Sequence, residues 1–135
     1  MSANRLQILA VFAVLVASCG GRTVESAAPS EFKPQTVMRA PLDSADGLEV
    51  IVQDVYFPAN LELPRHYHPG EEYIYVIEGE VTHVQEGEDD RVYRAGEALS
   101  IGVGKVHAAK TGDEPARAVI FRVHRRGEPE RIVVE

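Results

Sequence analysis

The sequence lacks the features that mark several large classes of protein. Its only cysteine is Cys19, so the chain cannot form an internal disulfide. Lys and Arg number 14 against 21 Asp and Glu, a net charge of −7. No basic stripe is present that could meet the phosphates of a nucleic acid. No Ser-His-Asp order, phosphate-binding loop or nucleotide fingerprint occurs. These absences exclude a nucleic-acid partner and the common nucleotide-binding and triad enzymes.

Long apolar runs are also scarce, and the one that exists lies near the amino terminus. Arg5 precedes a run over residues 6–17 that only Gln7 interrupts. The run is too short to span a bilayer, which needs about 20 residues, but it suits the apolar part of a secretory signal peptide. It ends in Val-Ala-Ser before Cys19-Gly20, which resembles a bacterial lipobox with cleavage before Cys19. The alternative is an ordinary signal peptide or a buried helix with an incidental thiol.

The lipobox resemblance divides the chain into three parts. Residues 1–18 form a lipoprotein signal peptide, residues 19–36 a flexible linker, and residues 37–135 one folded domain. The resemblance implies export and attachment to the cell envelope through a lipid on Cys19. Because Gly20 follows the cysteine where an Asp would retain the protein, it also implies the periplasmic face of the outer membrane in a diderm cell.

Beyond residue 47 the chain shows strand patterns, and no segment after residue 40 shows a helical stripe. A region over 34–47 is an edge strand at most. Short strands separated by Gly- and Pro-containing turns predict an all-β sandwich or barrel. The predicted strands are a short one ending at His66 and the segments 48–57, 73–77, 81–85, 91–94, 98–101, 106–110, 116–125 and 131–134.

Four side chains on these strands suit a metal ion. His66 and His68 are two residues apart, so they project from the same face of an extended strand. Pro69-Gly70 then bends the backbone before a strand that begins with Glu72. Two imidazoles and a carboxylate beside a turn are typical of a transition-metal site, and His107 on a later strand offers a third imidazole.

The spacing of these residues resembles a known family. His66-x-His68-x3-Glu72-x6-Gly79 is similar to the first motif of the cupin superfamily, and Gly96-x5-Gly102-x-Gly104-x2-His107 resembles the second. The resemblance covers roughly residues 45–125. It implies a double-stranded β-helix, the jelly-roll barrel of small single-domain cupins, with six to eight strands. Three turn positions depart from the pattern: Asn60 stands in place of a glycine, Gly102 of a proline and Thr111 of an asparagine.

The resemblance also implies a metal cofactor. His66, His68, Glu72 and His107 would hold one divalent ion, and the mixed nitrogen and oxygen ligands suit iron, manganese, nickel, cobalt or zinc. The alternative is a cupin barrel with an empty site. Since imidazoles bind metal only when deprotonated, occupancy is expected to fall below about pH 6.

Other residues receive weaker assignments. With Glu72 facing the metal, the alternation of a strand sends Ile74 and Val76 to the same interior. His83 is either a contact to the substrate or to a metal ligand, or a structural histidine. His124, beside two arginines, is expected in solvent. Two basic residues flank the ligand segments and could draw an anionic substrate, although a surface role is their default: Arg65 and Lys105.

The same alternation makes Tyr73, Tyr75 and Ile77 face outward. An apolar, aromatic outer face is costly in water and indicates cover by another polypeptide. The sequence therefore predicts a homodimer, with cover by the chain's own terminal strand as the alternative.

Two functions remain open. The first is an enzyme similar to the small cupin dioxygenases and isomerases, acting on a small organic molecule, in which Glu72 could double as general base. The second is a non-catalytic module that binds or senses a small ligand or a metal at the cell envelope. The fold does not decide between them, because one barrel can host both kinds of function.

Overall fold

The computed structural model describes residues 30–134, which form ten β-strands and no helix. The strands are β1 (Lys33–Pro41), β2 (Leu48–Phe57), β3 (His66–Tyr67), β4 (Glu71–Glu78), β5 (Glu80–Gln85), β6 (Arg91–Arg94), β7 (Ala98–Ile101), β8 (His107–Lys110), β9 (Ala116–Arg125) and β10 (Ile132–Val133). Within residues 30–134, no helix is of a length and apolarity that would cross a membrane. The predicted signal peptide and Cys19 lie outside the described residues.

The strands form two antiparallel five-stranded sheets. One has the order β1-β2-β9-β4-β7 and the other β10-β3-β8-β5-β6. Consecutive strands such as β4 and β5 belong to different sheets, so the chain passes back and forth between the two layers. The fold predicted from the sequence, an all-β double-stranded β-helix, is confirmed. The ten strands exceed the six to eight that the resemblance implied, although the sequence pattern indicates strands at His66 and over 131–134 and at most an edge strand over 34–47.

Strand alternation builds the core between the sheets. Along β9 the even-numbered residues are buried and the odd-numbered ones are not, and β4 alternates in the same way up to Val76. The buried apolar side chains from both sheets pack into one cluster, which comprises Val55, Phe57, Ile74, Val81, Ile101, Ala116, Ala118 and Ile120. As predicted, Ile74 and Val76 point inward, whereas Tyr73, Tyr75 and Ile77 remain 37–51% exposed on the outer face.

The first strand begins earlier than the sequence suggested. β1 starts at Lys33 and pairs with β2 along nearly its whole length, so residues 33–36 belong to the sheet and not to the linker. Pro34 and Pro41 made this segment hard to recognise, since proline cannot donate a ladder hydrogen bond. An edge strand tolerates proline, and β1 lies at the edge of its sheet.

Two of the departures from the cupin pattern meet at one end of the barrel. Asn60 has a φ of 56°, a left-handed conformation that asparagine tolerates better than most residues do. Its N–H donates to the Gly112 carbonyl at 2.7 Å. The Thr111 hydroxyl donates to the Pro58 carbonyl at 2.6 Å and accepts from the Leu61 N–H at 3.0 Å. Asparagine and threonine therefore supply the backbone geometry and the side-chain bonds that these turns require.

Gly79, which closes the first motif, is required by close packing as well as by its φ of 69°. A Cβ at this position would lie 2.3 Å from the Pro115 carbonyl oxygen. We expect Gly79→Ala to destabilise the domain well beyond the roughly 1–2 kcal/mol of a left-handed alanine, because the backbone at Pro115 must also move. Gly96→Ala is the matched control, since Gly96 has a φ of 90° and nothing within 4 Å of such a Cβ. Equal losses of stability in urea unfolding of the two variants would contradict this account.

Candidate metal centre

The candidate centre lies between the two sheets. His66 on β3 is the direct antiparallel partner of His107 on β8, so these two imidazoles come from neighbouring strands of one sheet. Glu72 enters from β4 of the other sheet, and His68 lies in the connection between β3 and β4. The ring centroids of the three histidines are 4.4–5.2 Å apart, and all four residues are at most 5% exposed. The structure thus brings together the four residues singled out by the sequence.

Backbone carbonyls fix the tautomer of each of the three imidazoles. Nδ1 of His66 lies 2.7 Å from the Pro64 carbonyl oxygen, Nδ1 of His107 lies 2.9 Å from that of Lys105, and Nδ1 of His68 lies 2.5 Å from that of Glu130. A carbonyl oxygen only accepts hydrogen bonds, so each Nδ1 must carry the proton and donate. The lone pairs of the three Nε2 atoms are left free, and one ring nitrogen from each histidine lies within 4.8 Å of the others.

Two of these Nε2 atoms lie near the Glu72 carboxylate. Nε2 of His68 lies 3.1 Å from Oε2 of Glu72, and Nε2 of His107 lies 3.8 Å from Oε1. With Nδ1 of His68 donating elsewhere, its Nε2 is a buried acceptor without a hydrogen-bond donor, beside a carboxylate oxygen that is also an acceptor. A cation between them would satisfy both groups, and no donor among the described residues satisfies the His68 Nε2. The donor set therefore fits a divalent transition metal.

Arg122 also binds the Glu72 carboxylate, at the same oxygen that lies near His68. It is the cross-strand neighbour of Glu72 on β9 and is only 9% exposed. Its Nε donates to Oε2 of Glu72 at 2.5 Å, and its Nη1 donates to Oε1 of Gln53 at 2.7 Å. Such a buried pair offsets the desolvation of each charge only when the geometry is good and other hydrogen bonds complete it. The guanidinium thus fixes the orientation of the Glu72 carboxylate.

The surroundings set the protonation of these groups. Burial alone would raise the pKa of Glu72, but the Arg122 guanidinium and then His68 hold it below its usual value, so the carboxyl is ionised. Burial lowers the pKa of His66 to about 4 and also lowers the pKa of His68, although Glu72 opposes the shift at His68. At neutral pH, His66 and His68 are therefore neutral bases that can bind a metal.

A cavity of about 110 Å³ opens beside the imidazoles. One wall is polar and carries His66, Glu72, His107 and Arg122, and the rest is mostly apolar. The C-terminal segment contributes Glu130 and Arg131 to the lining of the cavity, and β10 in the same segment pairs with β3. The apolar walls include Phe57, Leu63, Val81, Leu99 and Ile120.

The remaining predicted residues divide into two groups. Ile74 and His83 line the cavity, whereas Val76 is buried away from it. The His83 ring centroid lies 5.8 Å from that of His107, and its Nε2 is buried without a hydrogen-bond partner. Burial lowers the pKa of His83 as well, with a further contribution from His107. Arg65 and Lys105 are exposed and do not line the cavity.

The prediction for His124 was wrong. Its side chain is 1% exposed, and its Nε2 lies 3.1 Å from the Glu128 carbonyl oxygen. The neighbouring arginines suggested a solvated strand end, but His124 lies on the inward-facing side of β9 with Ile120 and Arg122.

Sequence reasoning missed Arg122 for the same reason. Its partner Glu72 is 50 residues away in sequence, and only the pairing of β4 with β9 brings the two together. A signal was nevertheless present, because Arg122 shares the parity of the apolar residues 116, 118 and 120. An arginine at an inward-facing position of a strand needs a buried partner of opposite charge, so the position of Arg122 could have indicated its pairing with an acidic residue.

The family model of the cupin domain matches residues 54–122, just over half of the chain, and spans every residue of the candidate centre. The chain belongs to the cupin family. Membership establishes the fold, and proteins of this family commonly bind a metal. It does not establish the function, because one fold can host both enzymes and other proteins.

One curated relative is an enzyme. Over 78 residues the chain is 35% identical to dimethylsulfoniopropionate lyase DddQ of Ruegeria pomeroyi, which covers 58% of this chain and 38% of the lyase. The crystal structure of DddQ from the same organism superposes with a TM-score of 0.61 at 27% identity, covering 76% of this chain and 51% of the lyase. The chain thus spans between 38% and 51% of the length of this enzyme.

Other solved structures support the fold alone. An uncharacterised protein of Klebsiella pneumoniae with a double-stranded β-helix domain has a TM-score of 0.60 at 23% identity, covering 80% of this chain and 88% of that protein. A cupin-like protein of Thermotoga maritima has a TM-score of 0.61 at 18% identity, covering 81% of this chain and 84% of its own length. These two cover the described domain almost end to end.

The lowered pKa of the buried histidines predicts a pH-dependent stability for the metal-free protein. Unfolded histidines titrate near pH 6.5, whereas His66 in the folded protein titrates near pH 4. Between these values the unfolded state binds more protons, so the free energy of unfolding should fall as the pH falls from 6.5 to 4. The lowered pKa of Glu72 acts in the same direction at lower pH, so the window from pH 5 to 6.5 isolates the imidazoles.

The measurement is the melting temperature of chelator-treated protein across this window. His66→Gln should flatten the slope, because it removes one of the groups that must take up a proton on unfolding. A stability that rises on acidification, or a slope that His66→Gln leaves unchanged, would show that these imidazoles are not held neutral.

Proposed function

We propose that this cupin is a metal-dependent enzyme that acts on a small organic molecule, with His66, His68, Glu72 and His107 holding one divalent ion. The observation that carries the proposal is the set of three grouped imidazoles whose Nδ1 atoms are fixed by carbonyls, two of which, His68 and His107, place Nε2 3.1 and 3.8 Å from the Glu72 carboxylate. Iron, manganese, nickel, cobalt and zinc all accept this donor set.

A bound divalent ion would act as a Lewis acid that polarises an oxygen of the substrate. The protein supplies the rest. The apolar walls of the cavity exclude water from the reacting groups, and the C-terminal segment orients His68 through the Glu130 carbonyl. Glu72 is ionised and could accept a proton, but its ion pair with Arg122 makes it a weak base. Holding the ion is therefore the better supported of its two roles.

Three reaction types fit a site of this kind. Dioxygenation and isomerisation follow from the likeness to small cupin enzymes, and the named activity of the lyase relative adds elimination. Isomerisation and elimination need a proton acceptor near the substrate but no oxygen, whereas dioxygenation needs oxygen. The second candidate function is a non-catalytic module that binds or senses a small ligand or a metal, which the small, partly closed cavity would also allow.

The metal assignment predicts a sharp contrast between two histidines of the same cavity. His107→Gln in the full-length chain should weaken zinc or manganese binding by about 100-fold or more, since it removes one of four protein ligands. His83→Gln is the matched control, because His83 lines the cavity but is not among the three grouped imidazoles. It should retain the metal within a few-fold. Calorimetric titration of chelator-treated protein measures both.

The same preparations distinguish the two functions. Wild-type protein loaded with each metal in turn is incubated with dimethylsulfoniopropionate and with a panel of small organic acids, with and without oxygen, and substrate loss is followed by NMR. Turnover that disappears in His107→Gln supports the enzyme, and its oxygen dependence identifies the reaction type. Tight binding of a small molecule that is recovered unchanged under all conditions would support the binding module instead.

We further propose that the protein is exported and anchored in the cell envelope through a lipid on Cys19, at the periplasmic face of the outer membrane in a diderm cell. The apolar run before Cys19 and the residues around it support this. The mass of the mature chain tests the proposal directly, since a lipidated amino-terminal cysteine adds fatty acyl groups that a Cys19→Ala variant cannot carry.

A homodimer through the outer face of the β1-containing sheet is the companion proposal. Met38, Val52, Phe121 and Tyr73 follow one another in register across four neighbouring strands, and Tyr73 and Phe121 are 6.2 Å apart by their ring centroids. Tyr75, in the next row, is 51% exposed. Single exposed apolar residues are common on protein surfaces, but a continuous apolar row marks an interaction site. A second copy of the same face would cover it.

The prediction is that Phe121→Glu converts a dimer to a monomer, because a charge would be buried at the centre of the interface. Val103→Glu is the control, since Val103 is 60% exposed in a turn away from this sheet face. Sedimentation of the full-length variants measures the mass. A wild-type protein that is monomeric at micromolar concentration would refute the proposal.

A further inference from the structure

Arg122 has more hydrogen-bonding capacity than the protein uses. A guanidinium carries five N–H donors, and its bonds to Glu72 and Gln53 use Nε and one N–H of Nη1. Nη1 also lies 3.7 Å from Oε2 of Glu130, which is too far for a hydrogen bond. Within residues 30–134, Nη2 makes no hydrogen bond. Because Arg122 lines the cavity, these donors are available to a ligand there.

The net charge around the cavity also favours a ligand that accepts hydrogen bonds. Arg122 neutralises Glu72. Arg39, in contrast, pairs with both Glu130 and Glu49, so that group of three carries one net negative charge. Arg131, which also lines the cavity, offsets that negative charge. A divalent ion held by neutral imidazoles would then give the buried centre a net charge of about +2. Without Arg122, the ion, the three imidazoles and the Glu72 carboxylate would give about +1. In a poorly hydrated cavity such an excess favours an anionic ligand.

The walls of the cavity indicate the kind of anion that it would take. The available space is about 110 Å³, and much of its surface comes from Phe57, Leu63, Ile74 and Leu99. An inorganic anion would leave these apolar walls without contacts, whereas an anion with a carbon body would pack against them.

We infer that the cavity takes a small carboxylic acid in its ionised form, with the carboxylate received by Arg122 and the carbon body packed against the apolar wall. The planar guanidinium presents two parallel N–H donors. They match the two oxygens of a carboxylate better than they match one neutral oxygen. Arg65 and Lys105, which the sequence offered as anion-attracting residues, do not line the cavity. The inference rests on the proposed function, because the charge it counts includes the metal.

The test compares butanoate with butanamide, which has nearly the same shape and no charge, by NMR titration of the full-length chain with and without zinc. Wild-type protein should prefer butanoate in both states, and more strongly with zinc. Arg122→Gln should weaken butanoate binding by about tenfold or more, as expected for hydrogen bonds to a charged group, and change butanamide binding by less than about twofold. Arg117→Gln is the matched control, since Arg117 lies on the same strand but on its exposed face, paired with Asp54.

Arg122→Lys keeps the result interpretable if the glutamine variant does not fold. Lysine keeps the charge beside Glu72 but lacks the planar pair of donors, so butanoate should bind at least about threefold more weakly than to wild type. The inference is overturned if wild type shows no preference for butanoate in either state, or if Arg122→Gln or the folded Arg122→Lys variant binds butanoate as wild type does.

Zinc content, measured on the same samples, separates this inference from the proposed function. A protein that holds no zinc but prefers butanoate through Arg122 would refute the metal site and keep the inference. A zinc-loaded protein whose preference survives Arg122→Gln would keep the metal site and refute the inference.

Discussion

The arrangement of the centre depends on three hydrogen bonds from histidine side chains to the backbone. Each Nδ1 of His66, His68 and His107 donates to a carbonyl, and this leaves the Nε2 lone pair of each ring turned inward. Two of the carbonyls belong to residues two positions earlier in the chain, Pro64 and Lys105, so the turns before β3 and β8 orient their own histidines. The third belongs to Glu130, which makes the orientation of His68 dependent on the C-terminal segment.

A chain of ionic contacts joins the two ends of the described chain to this centre. Glu72 pairs with Arg122, Arg122 contacts Gln53 and lies near Glu130, and Glu130 pairs with Arg39 on β1. Arg39 also pairs with Glu49. A buried charge without a partner would cost several kcal/mol, so every charged group in this part of the barrel constrains the next. The edge strand β1 and the segment after β9 are therefore part of the support of the site.

Strand alternation and turn residues were sufficient to predict an all-β sandwich or barrel and the bounds of several strands, and the resemblance of the two motifs implied the double-stranded β-helix. β2, β6, β7 and β9 have the predicted bounds. Edge elements were harder, since β1 is interrupted by prolines and β10 has two residues. The same limit applies to the candidate site. His66, His68 and Glu72 are close in sequence, so their convergence was predictable, whereas Arg122 and His124 gain their roles only through long-range strand pairing. Local charge suggested solvent for His124, and tertiary burial overrode it.

The chemistry of the protein rests on whether the three imidazoles and Glu72 hold an ion in the cell, because the fold serves both enzymes and binding proteins. The most direct measurement is elemental analysis combined with X-ray absorption at the metal edge, on full-length protein purified from the cells that naturally produce it. The account predicts one equivalent of a single first-row transition metal, with about three imidazole nitrogens in its coordination shell. Protein that contains no such metal, or a metal whose spectrum shows no imidazole ligand, would contradict it.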